Sequence, residues 1–223
     1  MNQIVAAIND PTRPDTHRER DPVRKPGEIL TLAEVRPGDR VADLAAAGGY
    51  YTAIASRVVG DRGHVYAVDP ERIFEYFPKG REGFPAYQKS DPRQNVSYSV
   101  QKFDALVFPK KLDAVLMVLY YHDTLWTGED RAAMNLAMFH ALKPGGRLVI
   151  VDHTAKEDSG DNVPRELHRM RESLLLPEVK AAGFRVIDKS ASLRNPDDPQ
   201  DTSVFDPAWR GKTDRFVYVF ERP

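Results

Sequence analysis

Val41-Ala42-Asp43-Leu44-Ala45-Ala46-Ala47-Gly48-Gly49-Tyr50-Tyr51-Thr52 carries three structural signals in one short stretch. An apolar run ends on an acid. A turn of small residues follows, and a helical pattern then extends from Tyr51 to Val59. Strand, tight loop and helix in that order form the unit that holds a nucleotide-like ligand in a doubly wound α/β sheet. Small side chains let the backbone approach the ligand, and the helix N-terminus offers it free N–H groups. A second apolar run, His64-Val65-Tyr66-Ala67-Val68, ends on Asp69. A carboxylate at that point, about twenty residues after the loop, accepts hydrogen bonds from ribose hydroxyls.

Composition sets the outer limits. The chain has 223 residues, enough for one domain with a substantial core. Its 32 Lys and Arg nearly balance its 33 Asp and Glu, so no global field favours nucleic acid or an anionic membrane. Cysteine is absent, which removes disulfides, thiolate nucleophiles and Cys-ligated zinc together. The longest strongly apolar run, Ala114 to Tyr121, is far short of the roughly 20 residues of a membrane helix. The first ten residues lack a basic stretch and a long apolar one, so the expected location is the cytoplasm. An export signal upstream of them would make it the periplasm instead.

Outward from the opening stretch, residues 1 to 25 are polar and rich in proline and charge. They read as an arm or partial lid, with one domain over 26 to 223. A helix is predicted over Pro26–Val35, a strand over Arg40–Leu44 and a helix from about Tyr50 to Val59. The second strand follows a turn at 60–63. Four prolines between 70 and 94 predict a short helix near Arg72–Tyr76 and loop after it. Further strands are predicted at Asn95–Val100, Leu112–Leu119, Arg147–Val151, Phe184–Asp188 and Phe216–Glu221. Helices are predicted at Asp130–Leu142 and Pro164–Leu176, with a short one from Pro177 to Ala182. Residues 192–213 form a long polar loop of the length expected of a lid. The last two strands have no helix between them, which fits a final strand inserted antiparallel beside its predecessor.

These residues resemble the class I S-adenosylmethionine-dependent methyltransferases from about Pro26 to the end of the chain. The first motif of that class appears as Asp43-Leu44-Ala45-Ala46-Ala47-Gly48-Gly49, and its ribose-binding acid matches Asp69. Its adenine-contacting segment matches Phe103-Asp104-Ala105, and its Leu-Lys-Pro-Gly-Gly-Arg-Leu-Val-Ile segment is intact at Leu142 to Ile150. Tyr121-His122-Asp123, Val151-Asp152-His153, Leu167-His168-Arg169 and Gly211-Lys212-Thr213-Asp214-Arg215-Phe216 are similar to a group of uncharacterised bacterial predicted methyltransferases. The resemblance implies a doubly wound, seven-stranded, Rossmann-like methyltransferase sheet, mostly parallel with the last strand antiparallel. It implies S-adenosylmethionine as cofactor and S-adenosylhomocysteine as product. The implied cofactor residues are Asp43, Ala45, Gly48, Gly49, Asp69, Phe103, Asp104 and Ala105. One departure stands out: alanine replaces two of the three alternating motif glycines, at Ala45 and Ala47. Where such a position requires positive φ, the added methyl weakens binding.

The acceptor side is read from the rim of the sheet, where ligands sit outside the carboxyl ends of the strands. His122, His153 and His168 fall there, whereas His17, His64 and His140 read as arm, strand and helix-face residues. The expected catalytic set is His122 or His153 as general base, Asp123 or Asp152 orienting it, and His168 beside them. The same residues would suit a His and carboxylate metal site. No HxH or HExxH spacing supports one, so no metal is expected. Arg169 and Arg171 are candidates for an acceptor carboxylate or phosphate, and Tyr120, Tyr121 and Trp126 for its apolar walls.

The expected partner is a small-molecule acceptor, with no nucleic acid and no membrane; monomer and homodimer both remain open. The alternative is a methyltransferase-fold protein that holds the cofactor, or has lost it, in a structural or cyclase-like role. A nicotinamide enzyme is disfavoured because Gly-x-Gly-x-x-Gly is absent.

Overall fold

The apolar runs pair into a central sheet in the order β3-β2-β1-β4-β5-β8-β7. The computed structural model describes residues 2–223. The strands are β1 (Arg40–Leu44), β2 (His64–Pro70), β3 (Val96–Gln101), β4 (Leu112–Val118), β5 (Leu142–Ala155), β6 (Met170–Arg171), β7 (Arg185–Ser190) and β8 (Arg215–Glu221). Strands β1 to β5 run parallel, and β8 lies antiparallel between β5 and β7. The two-residue β6 pairs with the far end of β5. This is the expected mixed sheet with its last strand antiparallel.

Helices cover both faces. They are α1 (Asn2–Ile8), α2 (Asp15–Arg18), α3 (Asp21–Arg24), α4 (Pro26–Leu32), α5 (Tyr50–Val59), α6 (Ile73–Tyr76), α7 (Gly83–Ser90), α8 (Arg131–Ala141), α9 (Val163–Leu167) and α10 (Glu172–Ala181). One core packs α1, α4 and α5 against the sheet through Ile4, Ile29, Leu30, Ile54 and Val149. The other packs α8 and α10 on the opposite face through Met134, Met138, Leu148, Leu175 and Phe220. The chain steps from β1 to β2 on one side and places β4 on the other. The crevice above the carboxyl ends of β1 and β4 is therefore the topological switch point where ligands bind in such sheets.

Two expectations need correction. The proline-rich stretch after Tyr76 is not loop: it forms a 3-10 turn at Pro78–Glu82 and then α7. Pro85 sits in the first turn of α7, where its missing N–H has no helical partner to lose. The helix expected over Pro164–Leu176 is broken at His168, which has φ 55° and ψ 46°. The chain then makes β6 and starts α10, which runs through Pro177 at the cost of one backbone hydrogen bond. Among the described residues no helix is long and apolar enough to cross a membrane.

Candidate active site

Above β1 the loop keeps the conformation that glycines normally supply. Ala45 has φ 59°, Ala47 φ 49° and Gly49 φ 73°. A left-handed backbone costs an L-residue roughly 1–2 kcal/mol, so two methyls are held against their preference. Gly49 is required twice over, because a Cβ there would lie 2.2 Å from the Tyr87 ring. Asp69 stiffens the loop from the end of β2. Its carboxylate accepts the Ala47 N–H at 2.7 Å and the Tyr98 hydroxyl at 3.0 Å. Asp43 is buried and accepts the Thr52 hydroxyl at 2.6 Å. Burial pushes its pKa up to about 6, with the Thr52 hydrogen bond opposing and the Asp69 charge adding.

Beside this loop lies a cavity of about 240 Å³, lined among others by Ala45, Ala47, Asp69, Ile73, Phe77 and Leu119. Asp43, Gly48, Gly49, Phe103, Asp104 and Ala105 do not line it. Phe103 begins a 3-10 turn after β3 and packs edge-on against Tyr120, 5.3 Å between ring centroids. The cavity fits an adenosine-bearing cofactor. Its walls are apolar on one side, its loop has the left-handed geometry, and Asp69 retains two of its four lone-pair sites.

The ends of β4 and β5 bring the histidines together. Asp152 is fully buried at the end of β5. It accepts His122 Nδ1 at 2.7 Å and the backbone N–H groups of both His122 and His153 at 2.8 Å. Asp152, and not Asp123, is therefore the acid that sets the tautomer and angle of His122. Burial disfavours the charged His122 ring, but the Asp152 and Asp123 carboxylates outweigh it and the pKa moves up. Asp123 Oδ1 accepts the Trp126 indole N–H at 3.1 Å and lies 3.4 Å from His122 Nε2. His168 reaches the same place from its left-handed position after α9, with Nδ1 3.3 Å from His122 Nε2. His153 is oriented by Thr213, whose hydroxyl lies 2.8 Å from Nδ1. Its pKa falls well below the usual imidazole range, through burial first and then the positive charge around it. His153 is thus neutral at physiological pH.

His122 contributes most of that charge, followed by Arg215, Arg169 and Arg24, and Arg215 and Arg24 belong to a second cavity, of about 540 Å³. It is lined by Arg20 and Arg24 of the N-terminal segment, Phe205 and Arg210 of the 192–213 loop, His153 and Arg215. None of these four arginines has a carboxylate within ion-pair distance among the described residues. Arg215 is buried and donates only to the carbonyls of Thr213 and Val23. Arg20 is pushed down to about 10 by desolvation and then by Arg24 and Arg210. Glu19 also lines the cavity. Leu119, at φ 61°, borders both this cavity and the one beside Asp69.

Several expectations change on this geometry. Arg169 is fully buried in a bidentate pair with Asp198, and Arg171 pairs with Asp161. Arg169 is not free for an acceptor, Arg171 shares its charge with a largely exposed Asp161, and the arginines without ion-pair partners among the described residues were not singled out by spacing. The available signal was Arg20 and Arg24, four apart on the arm, with no acid three or four residues from Arg20. His17 is also more than an arm residue: it is buried against Tyr87 and Tyr50, over the loop. Tyr120 and Tyr121 spend their hydroxyls on Glu129 and on Glu178 with Asn135; Tyr121 is a packing residue, whereas Tyr120 lines the cavity beside Asp69.

No family model matches the chain. It is 34% identical over 123 residues to the ubiquinone/menaquinone biosynthesis C-methyltransferase UbiE of Vibrio campbellii, covering 55% of this chain and 44% of that protein. The chain spans about half the length of the curated relatives it matches. Among solved structures, a SAM-dependent methyltransferase from Aquifex aeolicus superposes with TM-score 0.65 at 18% identity, covering 92% of this chain and 98% of that one. The [4+2]-cyclase SpnF superposes with TM-score 0.60 at 16% identity, covering 90% of this chain and 80% of that one. The chain thus has the class I S-adenosylmethionine-dependent methyltransferase fold, and its sequence resembles that class over the matched stretch.

Proposed function

We propose that this protein transfers the methyl group of S-adenosylmethionine to a small-molecule acceptor carrying a carboxylate or phosphate. The observation that carries the reading is the wall shared at Leu119. On one side is a slot with a left-handed loop and a ribose-type carboxylate, and on the other a cationic cavity with a neutral imidazole. The sequence likeness to curated C-methyltransferases supports the same reaction class.

When bound, the cofactor supplies an electrophilic methyl carbon, so the protein has to align the partners and exclude water. Asp69 would accept the ribose hydroxyls on its two remaining lone-pair sites. Asp43 would hold the loop through Thr52, and Ala45, Gly48 and Gly49 would let the backbone approach. Phe103, Asp104 and Ala105 would act from behind Tyr120. Arg24 and Arg215 would take the acceptor's anionic group, with Arg20 and Arg210 at the mouth of the cavity.

His153 is the favoured base, because it faces this cavity and its ring is neutral. Charge compensation by the acceptor would raise its basicity just where a proton has to be removed. His122 is a poorer candidate, since its Nε2 already faces Asp123 and His168.

Calorimetric titration with S-adenosylmethionine and S-adenosylhomocysteine tests the reading. Micromolar binding, weakened at least tenfold in Asp69→Ala, supports it. No binding at millimolar ligand by folded protein overturns it and leaves the non-methylating alternative.

A further inference from the structure

We infer that His122, Asp123 and His168 form a site for one divalent transition-metal ion, with zinc as the best geometric fit. The three atoms that face one another are His122 Nε2, His168 Nδ1 and Asp123 Oδ1. Their separations are 3.3 Å between the two nitrogens, 3.4 Å from His122 to the carboxylate and 3.3 Å from His168 to it. These values are long for N–H···O or N–H···N hydrogen bonds, which cluster near 2.9–3.0 Å. They match the edges of a coordination tetrahedron. With metal–ligand bonds of about 2.0–2.1 Å, ligand atoms lie about 3.3–3.4 Å apart. An octahedral site with similar bonds brings neighbouring ligands to about 3.0 Å.

Proton placement leads to the same conclusion. Asp152 is fully buried and its carboxylate lies 2.7 Å from His122 Nδ1, so in the neutral ring Nδ1 carries the hydrogen. The lone pair of Nε2 then points at a carboxylate oxygen and a second imidazole. A single proton forms one straight hydrogen bond between two of these three atoms and cannot bridge all three. A cation within bonding distance of all three satisfies every lone pair.

The surroundings are those of a supported metal site. Asp152 orients one histidine ligand, and the Trp126 indole donates to the carboxylate oxygen at 3.1 Å. His168 is held in the left-handed region, which aims its ring at the others. Phe77, Trp126 and Phe205 surround that ring and limit water around it. Two His and one carboxylate suit zinc, iron, cobalt and manganese, and leave open coordination positions. Asp123 also lines the cavity next to Asp69, so an ion here would stand at the edge of the proposed reaction space. The ligands come from two segments separated in sequence, which is why local spacing did not reveal them.

Equilibrium dialysis of the full chain against Zn²⁺, after chelator treatment, tests the site without any cofactor or acceptor. One equivalent should bind with submicromolar affinity. Binding should weaken at least 100-fold in His168→Ala and in Asp123→Asn, and roughly 10- to 100-fold in Asp152→Asn. His140→Ala, on an exposed helix face, should bind as the unmodified protein does. Cobalt loading should give the visible absorption of a tetrahedral ion. Circular dichroism establishes that each variant is folded, and His168→Gln replaces His168→Ala where it is not. The inference falls if folded protein takes up none of Zn²⁺, Co²⁺, Mn²⁺ or Fe²⁺. It falls equally if uptake persists unchanged in both His168→Ala and Asp123→Asn, which would mark a surface site. Because no methyl donor is present, either result leaves the proposed reaction to be judged on its own titration.

Discussion

The two cavities that meet at Leu119 are built on opposite principles. The slot beside Asp69 takes its shape from the left-handed loop after β1, the end of β2 and α6 after it, closed by Leu119, Tyr120 and Asp123 beyond β4. Its polar groups are few, buried and already bonded to one another, as Asp69 is to Ala47 and Tyr98. The cationic cavity is made by side chains from the N-terminal segment, the end of β5, the 192–213 loop and the start of β8. Among the described residues its arginines have no ion-pair partners, so their charge is available to a ligand. A slot set by backbone geometry suits a ligand that never changes. A cavity set by separate side chains can be retuned for a new acceptor without disturbing the other.

The sharpest way to break that division is to compare substitutions within the second cavity. His153→Ala should lower kcat by about 10²- to 10⁴-fold, the usual contribution of a positioned base. Arg215→Met, or Arg24→Met where burial of Arg215 makes the first variant unstable, should raise the acceptor KM by about 10- to 100-fold. That corresponds to losing one or two charge-assisted hydrogen bonds. Affinity for S-adenosylmethionine should stay within about twofold in all three. Steady-state kinetics alongside calorimetry separates these effects. An arginine variant that lost cofactor and acceptor binding together would show that the two cavities are one site.

The same division explains what was legible in the sequence. The motif loop, Asp69 and the parallel winding up to β5 follow from short-range patterns, because the alternation of apolar strand and helix favours right-handed parallel crossovers. The antiparallel last strand was legible from the missing helix before it. The stretch that became α7 was not, since prolines were counted as breakers although Pro85 stands where a helix tolerates one. The break at His168 was hidden for a related reason. A non-glycine residue at positive φ leaves no compositional trace, and only tertiary packing over-determines it. The arginines of the cationic cavity were missed because their meaning lies in missing partners, which only the folded chain reveals. Arg169 read as a candidate for an acceptor anion, yet Asp198, from a distant loop, consumes it.

An intermediate effect should come from Asp43, which belongs wholly to the first region. Its carboxyl is raised to about 6 from a usual value of 3.8, chiefly by burial. Between those values the folded chain holds a proton that the unfolded chain has released, so stability falls as pH rises from about 4 to about 6. Asp43→Asn removes the charge and leaves an oxygen for Thr52. The variant should be more stable than the parent at pH 7 by up to about 3 kcal/mol. The difference should vanish below pH 4, where both side chains are neutral. Urea unfolding at pH 4 and pH 7 reads this directly. A variant less stable at pH 7 would mean that the charge is compensated by the loop and is part of its structure.

The smallest effect, and the finest test of a backbone-made slot, lies at Ala45 and Ala47. Both hold glycine conformations while carrying a methyl, at roughly 1 kcal/mol each. Ala45→Gly and Ala47→Gly relieve that strain but loosen the unfolded chain by a comparable amount, so stability should change by less than about 1 kcal/mol. Binding is the more sensitive readout, because both methyls line the cavity. The double glycine variant should bind S-adenosylmethionine about two- to fivefold more tightly, as the backbone comes closer to the ligand. Unchanged affinity would mean that the loop reaches its working shape with the alanines in place. Weaker affinity would mean that the methyls themselves pack against the ligand, so that side chains specify this region as well.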